Sequence, residues 1–529
     1  MAQVVTEPRP RADAQERLDS VTRKLLLYCV AFVPLALMLA LRIAGGFGSL
    51  EYPAAMDQAQ IGRNILAGSG FTTSQLTPLV VDLSDTTNPT PDITHPPLYP
   101  LMLALFFGLF GASDKVVIAA SMGFLVLSAI MVFIIARRQF SLAAAAVATV
   151  LFTTQVQTIR YAISGTNTMA ATFFMLILWY VLIRPGEHSL LHYLKAGAVL
   201  GLCYLTEYSF ALLIPVVLIY IYFTASPRRR ISMGAFLVGA VLISMPWMTR
   251  NAILMHNPIF TVDQYDLMSN TNSFAGFDIY RSFDGAPSPI VFAVTHITDM
   301  IRKLVNGLVT MYWQWPTNAG VYVLPFFILS LFLRIEDKSL LALRRLLVAF
   351  IFLLTIAVCL GDQMPMHFEK LVPLITIFAA GFLLYMVDRL SISPTRRSAV
   401  IAFVVLGAAL PTAVGLIGNT APASAGRPPQ FADIDASLSK SAVVVTDCPW
   451  AVAWYGRRKA VWLPLNPRQL SDIEGKVGRI DAAFVSRYAS SFVAVDQVAL
   501  VKQLSQLRGA QRFRVVRVYK SGDALLARE

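Results

Sequence analysis

The sequence predicts a polytopic α-helical membrane protein that carries an α/β domain at its carboxyl terminus. The 529 residues are 56% hydrophobic and only 14% charged, whereas a soluble protein carries about a quarter charged residues. Apolar runs of about 15 to 25 residues recur from residue 25 to residue 416, and each is long enough to cross or nearly cross a bilayer. Beyond them, strand-length apolar runs alternate with helical patterns, which is typical of a largely parallel sheet.

The basic residues orient the predicted spans. The net charge of +13 comes from short Arg and Lys clusters between apolar runs, which is the pattern of the positive-inside rule and does not indicate a nucleic-acid partner. We place the basic amino-terminal tail, 1–24, in the cytoplasm. The run 97–111 is short and has two prolines among its first four residues. If it lies on the surface or is re-entrant, every later basic cluster falls inside, and if it spans the membrane, every one falls outside.

The surface choice gives about eleven spans within a membrane domain of residues 25–417. They are about 25–44, 114–136, 141–159, 168–183, 194–207, 209–225, 231–249, 319–334, 343–360, 371–388 and 398–417. A further apolar stretch, 290–313, is either another surface helix or an extra span. An odd number of spans places the carboxyl terminus outside, in the periplasm if the membrane is the inner (plasma) membrane.

Three large segments then face the outer side. They are the first outer loop, 45–113, the second large outer loop, 250–318, and the carboxyl-terminal domain, 431–529, which follows a linker, 418–430. In that domain we predict strands at 441–447, 459–464 and 481–488, helices at 449–456, 466–478 and 495–509, and a closing hairpin at 513–529. It contains no Gly-rich phosphate loop.

Two motifs in the first outer loop carry candidate chemistry. The segment MDQAQIGRNILAGSGF, 56–71, places Asp57 on a short helix at the outer interface. A carboxylate there can take a proton from a hydroxyl, although an acid near a helix amino terminus is also favoured by the helix dipole. The segment THPPLYP, 94–100, places His95 before the first turn of a helix. It is either a rigid turn or a site that attracts an anion.

Later outer segments add further candidates. Arg250 ends a span on the side that the positive-inside rule disfavours, which indicates either an anionic partner or a salt bridge with an acid such as Asp263 or Asp266. Arg160 poses the same question. Glu207 is either a functional near-membrane acid or a solvated turn residue. A cluster near the tenth span contains His367, Glu369 and Lys370.

The side on which these groups fall favours one class of protein. Under one topology they all lie on the outer face, whereas a transporter or flippase would place ionisable groups near the midplane and often shows internal repeats. The pattern favours an enzyme at the outer membrane boundary, with a substrate that joins an apolar anchor to an anionic head. The alternatives are a transporter or flippase of a lipid-linked sugar, or a subunit without catalysis. A divalent metal ion held by His367 with His95 or Glu369 is possible, but needs three converging ligands.

Four motifs resemble the C-type (GT-C) membrane glycosyltransferases, in the family-39-like branch of protein O-mannosyltransferases and lipid A aminoarabinose transferases. They are MDQAQIGRNILAGSGF, HPPLYPLMLALFFGLFG, PWMTRNAILMHNPIF and VVVTDCPWAVAWYGRRKAVWLP. The resemblance implies a GT-C-like fold with outer juxtamembrane helices. It also implies transfer of a sugar from a polyprenyl-phosphate donor to a lipid, protein or glycan acceptor hydroxyl, with inversion. Apart from the possible metal ion, the sequence indicates no cofactor.

The resemblance also implies roles for residues. Asp57 is similar to the catalytic acid that activates the acceptor hydroxyl, and His95 stands where many relatives carry a lysine that faces the donor phosphate. The cations expected to meet the phosphate charge are Arg63, His95, Arg160, Arg250 and Lys370. The expected substrate pocket comprises Tyr99, Asn167, Glu207, Tyr208, Asn251, His367 and Glu369.

Overall fold

The computed structural model describes residues 24, 26–40, 48–84, 89–183, 189–225, 228–283, 285, 287–418, 428–487, 504 and 513–528. Within these ranges the chain is mostly helical. Five helical segments are long and apolar enough to cross a membrane, and they are Asp114–Gln139, Arg229–Met255, Lys338–Leu360, Pro365–Arg389 and Pro394–Gly415. Two bent helix pairs raise the number to as many as seven.

The membrane part and its loops contain seventeen described helices and three short strands. In chain order they are α1 (Leu26–Ala40), α2 (Pro53–Leu66), β1 (Thr72–Thr73), β2 (Gln75–Leu76), α3 (Pro78–Leu83), β3 (Thr90–Pro91), α4 (Leu98–Phe110), α5 (Asp114–Gln139), α6 (Leu142–Thr153), α7 (Val156–Ala162), α8 (Thr168–Leu182), α9 (Leu190–Thr206), α10 (Leu213–Thr224), α11 (Arg229–Met255), α12 (Pro289–Thr295), α13 (Ile297–Ala319), α14 (Val323–Leu331), α15 (Lys338–Leu360), α16 (Val372–Arg389) and α17 (Pro394–Gly418). Four 3₁₀ turns lie between them, at Tyr208–Leu212, Val262–Leu267, Asp278–Arg281 and Pro365–Leu371.

The structure confirms a polytopic helical membrane protein, but two predicted spans are not single straight helices. The span predicted at 141–159 is the pair α6 and α7, bent by 66°, and the one at 319–334 is α14, which follows α13 after a bend of 105°. At the second bend Gly320 adopts a φ of 86°, a conformation that glycine allows at little cost. The spans predicted at 25–44, 168–183, 194–207 and 209–225 correspond to shorter apolar helices, so the number of crossings stays a prediction.

Close contacts between helix backbones fix the membrane core. A Cβ on Gly197 of α9 would lie 1.9 Å from the carbonyl oxygen of Phe236, and one on Gly239 of α11 would lie 2.1 Å from that of Leu194. These two helices therefore pack backbone to backbone, as small residues allow in membrane proteins. The apolar α4 packs closely on α2, and a Cβ on Gly62 would meet the Pro100 carbonyl at 3.1 Å.

The carboxyl-terminal part contains the remaining helices and strands. They are α18 (Pro429–Ser437), β4 (Val443–Thr446), α19 (Pro449–Trp454), β5 (Lys459–Trp462), α20 (Leu470–Val477), β6 (Ile480–Val485), β7 (Phe513–Val518) and β8 (Ala524–Arg528). β5, β4 and β6 are parallel neighbours, and β8 continues the sheet antiparallel to β6 and forms a hairpin with β7. Apart from Leu504, the helix predicted at 495–509 lies outside the described residues.

One strand of this sheet comes from the other end of the chain. The sheet order is β2-β5-β4-β6-β8-β7, so that β2 of the first outer loop forms one edge. β2 runs parallel to β5, with Gln75 opposite Ala460. A two-residue strand carries no periodicity that a sequence could reveal, and the prediction therefore treated the loop and the tail as separate units.

Candidate active site

The first outer loop presents Asp57 on α2. Proline at the start of this helix is pre-organised for helical φ, and Gly68 takes a φ of 79° just beyond its end. Asp57 is only 8% exposed. The amide of Gln60, one turn further along, donates to Asp57 Oδ1 at 3.0 Å and to Thr73 Oγ1 at 2.8 Å. The carboxylate is therefore fixed to one side of the helix and not free to rotate.

His95 lies between two carboxylates. Its Nε2 is 3.5 Å from Asp57 Oδ2, and its Nδ1 is 3.4 Å from Asp92 Oδ1. The second oxygen of Asp92 accepts the backbone N–H groups of Thr94 and His95 at 3.2 and 2.8 Å, which is a local turn typical of aspartate. Asp92 thus fixes the imidazole so that its other nitrogen faces Asp57.

Burial and charge set the protonation of this pair. Burial raises the pKa of Asp57 to about 6, although His95 opposes the shift. Burial by itself lowers the pKa of His95, but the carboxylates of Asp57 and Asp92 outweigh it and raise that pKa to about 9. Near pH 7 the pair is therefore a carboxylate beside an imidazolium. A carboxylate whose pKa lies this close to neutrality is a stronger base than an ordinary aspartate.

Gln75 is a third contact of Asp57, and the sequence analysis missed it. The amide orientation that gives both of its ends suitable partners turns the nitrogen toward Asp57, with distances of 3.3 Å to Oδ1 and 3.0 Å to Oδ2. Asp92, Gln60 and Gln75 were all missed. Of these three, only Asp92 could have been predicted from the sequence. An aspartate often accepts hydrogen bonds from the backbone N–H groups two and three residues further along the chain.

Arg250 adjoins this cluster through backbone carbonyls and aromatic rings and not through the acids Asp263 or Asp266. Its Nη2 donates to the carbonyl oxygens of Asp92 at 2.7 Å and Phe71 at 3.2 Å. Its guanidinium carbon lies 4.4 Å from the centre of the Trp247 ring. Asp92 therefore contacts both groups: its carbonyl oxygen binds the Arg250 guanidinium, and its carboxylate binds His95.

A groove opens beside Arg250. It has a volume of about 450 Å³ and is lined by Phe71, Thr72, Pro91, Pro246, Thr249, Arg250, Ile253 and Leu254. Ile253 is 72% exposed. Arg250 Nη1 and Thr72 Oγ1 are buried atoms without a hydrogen-bond partner among the described residues. Such a groove offers a cation and a hydroxyl to an anion and an apolar wall to a lipid chain.

A second charged cluster is centred on Glu207, where α9 ends. Its Oε1 accepts from Ser209 Oγ at 2.5 Å, lies 3.0 Å from His367 Nδ1 and forms an ion pair with Lys370. His367 Nε2 lies 2.8 Å from Asp362 Oδ2. Lys370 is 1% exposed, so its charge is neutralised inside the protein and not by solvent.

Asp263 connects the two clusters electrostatically. Burial raises its pKa to about 6, which His95 and His367 oppose and Asp362 enhances. Asp263 therefore interacts electrostatically with His95 of the first cluster and with His367 of the second. The two clusters therefore lie near each other. The sequence analysis named Asp263 only as a possible partner of Arg250 and did not name Asp362.

Several predicted site residues lie apart from this site. Arg63 is six residues from Asp57, about 240° around an α-helix, and its guanidinium donates to the carbonyl oxygens of Ala453 and Trp454 at 2.7 Å each. That placement argues against its predicted phosphate role. Arg160 is exposed on α7.

The remaining predicted pocket residues make internal hydrogen bonds. Tyr99 donates to the Gly165 carbonyl at 2.9 Å, Asn167 to the Thr206 carbonyl at 2.8 Å, and Asn251 to the Phe260 carbonyl at 3.2 Å; Tyr208 accepts from Trp247 at 2.9 Å, and Glu369 from Thr158 at 2.6 Å. These contacts fix the helix ends around the site. Among the described residues no group of three His, Cys, Asp or Glu side chains is arranged to hold a metal ion.

Comparisons with known proteins agree with this architecture. Residues 94–249 match the family model of dolichyl-phosphate-mannose-protein mannosyltransferases. No curated protein sequence matches the chain. ArnT from Cupriavidus metallidurans, in its crystal structure with undecaprenyl phosphate, is similar at 16% identity and a TM-score of 0.57, over 94% of this chain and 98% of that one.

A second similar structure comes from an archaeon. The oligosaccharyltransferase of Archaeoglobus fulgidus, tethered to an acceptor peptide, has 12% identity and a TM-score of 0.59 over 90% of this chain and 72% of that one. At such identities the likeness shows the fold alone. The protein shares its fold with these GT-C structures, and residues 94–249 match the mannosyltransferase family model, so that the two comparisons together indicate a membrane glycosyltransferase.

Proposed function

We propose that the protein transfers a sugar from a polyprenyl-phosphate donor to an acceptor hydroxyl at the extracytoplasmic face, with Asp57 as the general base. The observation that carries this proposal is the buried Asp57–His95 pair beside a groove that joins an unpartnered guanidinium nitrogen to an apolar wall. The undecaprenyl phosphate in the similar ArnT structure supports the donor class.

In the proposed step Asp57 accepts the proton of the acceptor hydroxyl as its oxygen attacks the anomeric carbon. The bond from that carbon to the phosphate oxygen breaks, and its electron pair leaves with the polyprenyl phosphate. Attack on the face opposite the leaving group inverts the anomeric configuration in a single displacement. The pKa of about 6 keeps Asp57 ionised at pH 7 yet basic enough to take the proton.

Arg250 and His95 stabilise the leaving phosphate in this mechanism. Arg250 uses its free Nη1 and the imidazolium of His95 adds a second positive charge, since preorganised cations are most effective where charge develops. His95 has a further role that the sequence did not indicate, because its charge also keeps Asp57 deprotonated.

The Glu207 cluster is assigned to the sugar or the acceptor. Glu207, Asp263 and Asp362 offer carboxylate oxygens that can accept hydrogen bonds from sugar hydroxyls. The acceptor is a hydroxyl of a lipid, a protein or a glycan. The outward orientation of the first loop follows from the positive-inside rule and is part of the proposal.

The test is glycosyl transfer by the purified protein in lipid nanodiscs, with a panel of undecaprenyl-phosphate hexoses and pentoses. Asp57→Asn should abolish release of undecaprenyl phosphate while the variant still folds and binds the donor. The matched control is Asp472→Asn, an exposed aspartate of α20, which should leave the rate unchanged. Full transfer by Asp57→Asn would contradict the role of Asp57 as base, whereas no transfer by the wild type would favour a transporter of a lipid-linked sugar.

A further inference from the structure

The carboxyl-terminal sheet positions Gln75, which is one of the residues that contact Asp57. Gln75 belongs to β2, and β2 is held at the edge of the carboxyl-terminal sheet by β5. The backbone N–H of Ala460 donates to the Ser74 carbonyl at 2.7 Å. The position of the Gln75 backbone is therefore set by a strand from the opposite end of the chain.

Local hydrogen bonds aim the Gln75 side chain at Asp57. The backbone N–H of Gln75 donates to Thr73 Oγ1 at 3.0 Å, and the same hydroxyl accepts the Gln60 amide at 2.8 Å. The backbone N–H of Ser74 donates to Gln60 Oε1 at 2.9 Å. Gln60 thus ties β2 to α2, and the amide nitrogen of Gln75 reaches both oxygens of the carboxylate.

The tail also holds the far end of α2. Arg63 donates to the last carbonyl groups of α19 and its guanidinium carbon lies 4.9 Å from the centre of the Trp454 ring. Asp114, at the start of α5, accepts from Trp454 Nε1 at 2.7 Å and from the Tyr455 hydroxyl at 2.9 Å. The helix that carries Asp57 and the strand that carries Gln75 are thus both fixed to the same sheet unit.

We propose that Gln75 is a positioning residue for Asp57, placed by the carboxyl-terminal sheet, so that this sheet is part of the catalytic centre and not a cover over it. The inference rests on the proposed role of Asp57 as base. Two N–H···O contacts from one amide fix the carboxylate rotamer. They also favour its ionised form, because hydrogen bonds to a charged group stabilise that charge.

The charged groups around Asp57 are few. His95 and Asp92 face the carboxylate from the loop before α4, and they act in opposite directions. Of the elements packed on α2, α4 contributes Tyr99, whose hydroxyl is bound to the Gly165 carbonyl. The described α19 and β1 contain no titratable residue. A change at Gln75 can therefore be read directly in the titration of Asp57.

The test is Gln75→Leu, which keeps the side-chain size and removes the donor. The midpoint of the acid limb of kcat/KM should move up by about one pH unit. An independent infrared titration should follow the carboxyl band that Asp57→Asn lacks, and should show the same shift. The matched control is Gln58→Leu, the same change on the same helix, which should leave both midpoints at their wild-type values.

The tail's part is tested by Ala460→Pro, which removes the N–H that binds Ser74. It should move the midpoint in the same direction, whereas Val516→Pro, at the unpaired bulge of the far edge strand, should not. If Ala460→Pro fails to fold, Gln75→Leu still decides whether Gln75 acts on Asp57.

An unchanged infrared midpoint in Gln75→Leu would overturn the inference. If the wild type transfers no sugar at all, the proposed function fails, and the infrared titration still shows whether Gln75 acts on Asp57.

Discussion

Replacement of His95 by glutamine tests the electrostatic core of the mechanism. His95 Nε2 lies 3.5 Å from Asp57 Oδ2, where a pair of unit charges interacts by about 5 kcal/mol at an effective dielectric constant of about 20. His95 shares its charge with Asp92, at 3.4 Å, so that only part of this energy acts on Asp57. Since about 1.4 kcal/mol corresponds to one pH unit, we expect the pKa of Asp57 to rise by about one to two units in His95→Gln.

The direction of the pKa shift of Asp57 follows from the positive charge that His95→Gln removes. Without the imidazolium, the carboxylate of Asp57 loses its nearest stabilising cation and holds its proton to higher pH. The acid limb of kcat/KM, expected near pH 6 in the wild type, should shift upward. Near pH 9 the wild type should lose activity as His95 deprotonates, and this basic limb should be absent in the variant.

The assay is the pH dependence of kcat/KM between pH 4.5 and 10, at constant ionic strength, for the wild type and two variants. His95→Lys keeps the positive charge and should hold the acid limb near its wild-type position while the basic limb moves upward. An acid limb that stays in place in His95→Gln would refute the reasoning, because the charge would then not act on the base.

Three further predictions concern other parts of the molecule. Arg250→Leu should weaken binding of undecaprenyl phosphate by about 10- to 100-fold, as expected for loss of charge-assisted hydrogen bonds, and unchanged affinity in a nanodisc binding assay would exclude it from the phosphate site. Arg63→Met should lower the melting temperature through loss of two hydrogen bonds, about 2 to 4 kcal/mol in all, whereas Arg479→Met, at an exposed position, should have no measurable effect. Gly197→Ala should prevent or strongly impair folding, because its methyl group would overlap a carbonyl oxygen. Gly234→Ala, where nothing lies within 4 Å, should fold normally, and equal yields of folded protein by size-exclusion chromatography would contradict the close packing.

The composition predicts a helical membrane protein, because a chain needs long apolar runs to cross a bilayer. Span boundaries were less predictable where helices bend. Hydropathy reports only the apolar length of 141–159, and the bend between α6 and α7 depends on packing against other helices. Likewise the 105° bend after α13 is permitted by one glycine, which no hydropathy window detects.

Individual residues of the candidate site could be predicted from the sequence, but the contacts between them could not. Asp57 and His95 were identified separately, but their contact depends on how α2 packs on α4. Arg63 was assigned to phosphate because a sequence shows its charge and not the face of the helix on which it lies. Gln75 gave no signal, since its neighbour β5 lies at the other end of the chain.

The pairing of β2 with β5 can form only late in the synthesis of the protein. Synthesis begins at the amino terminus, so the first outer loop is made early and waits with an unpaired edge. The strand that pairs with it leaves the ribosome only after all the membrane helices have been made. A prematurely terminated chain therefore keeps Asp57 and the membrane helices but lacks the strand that pairs with β2, and under the proposed role of Gln75 its catalytic base is left without this positioning contact.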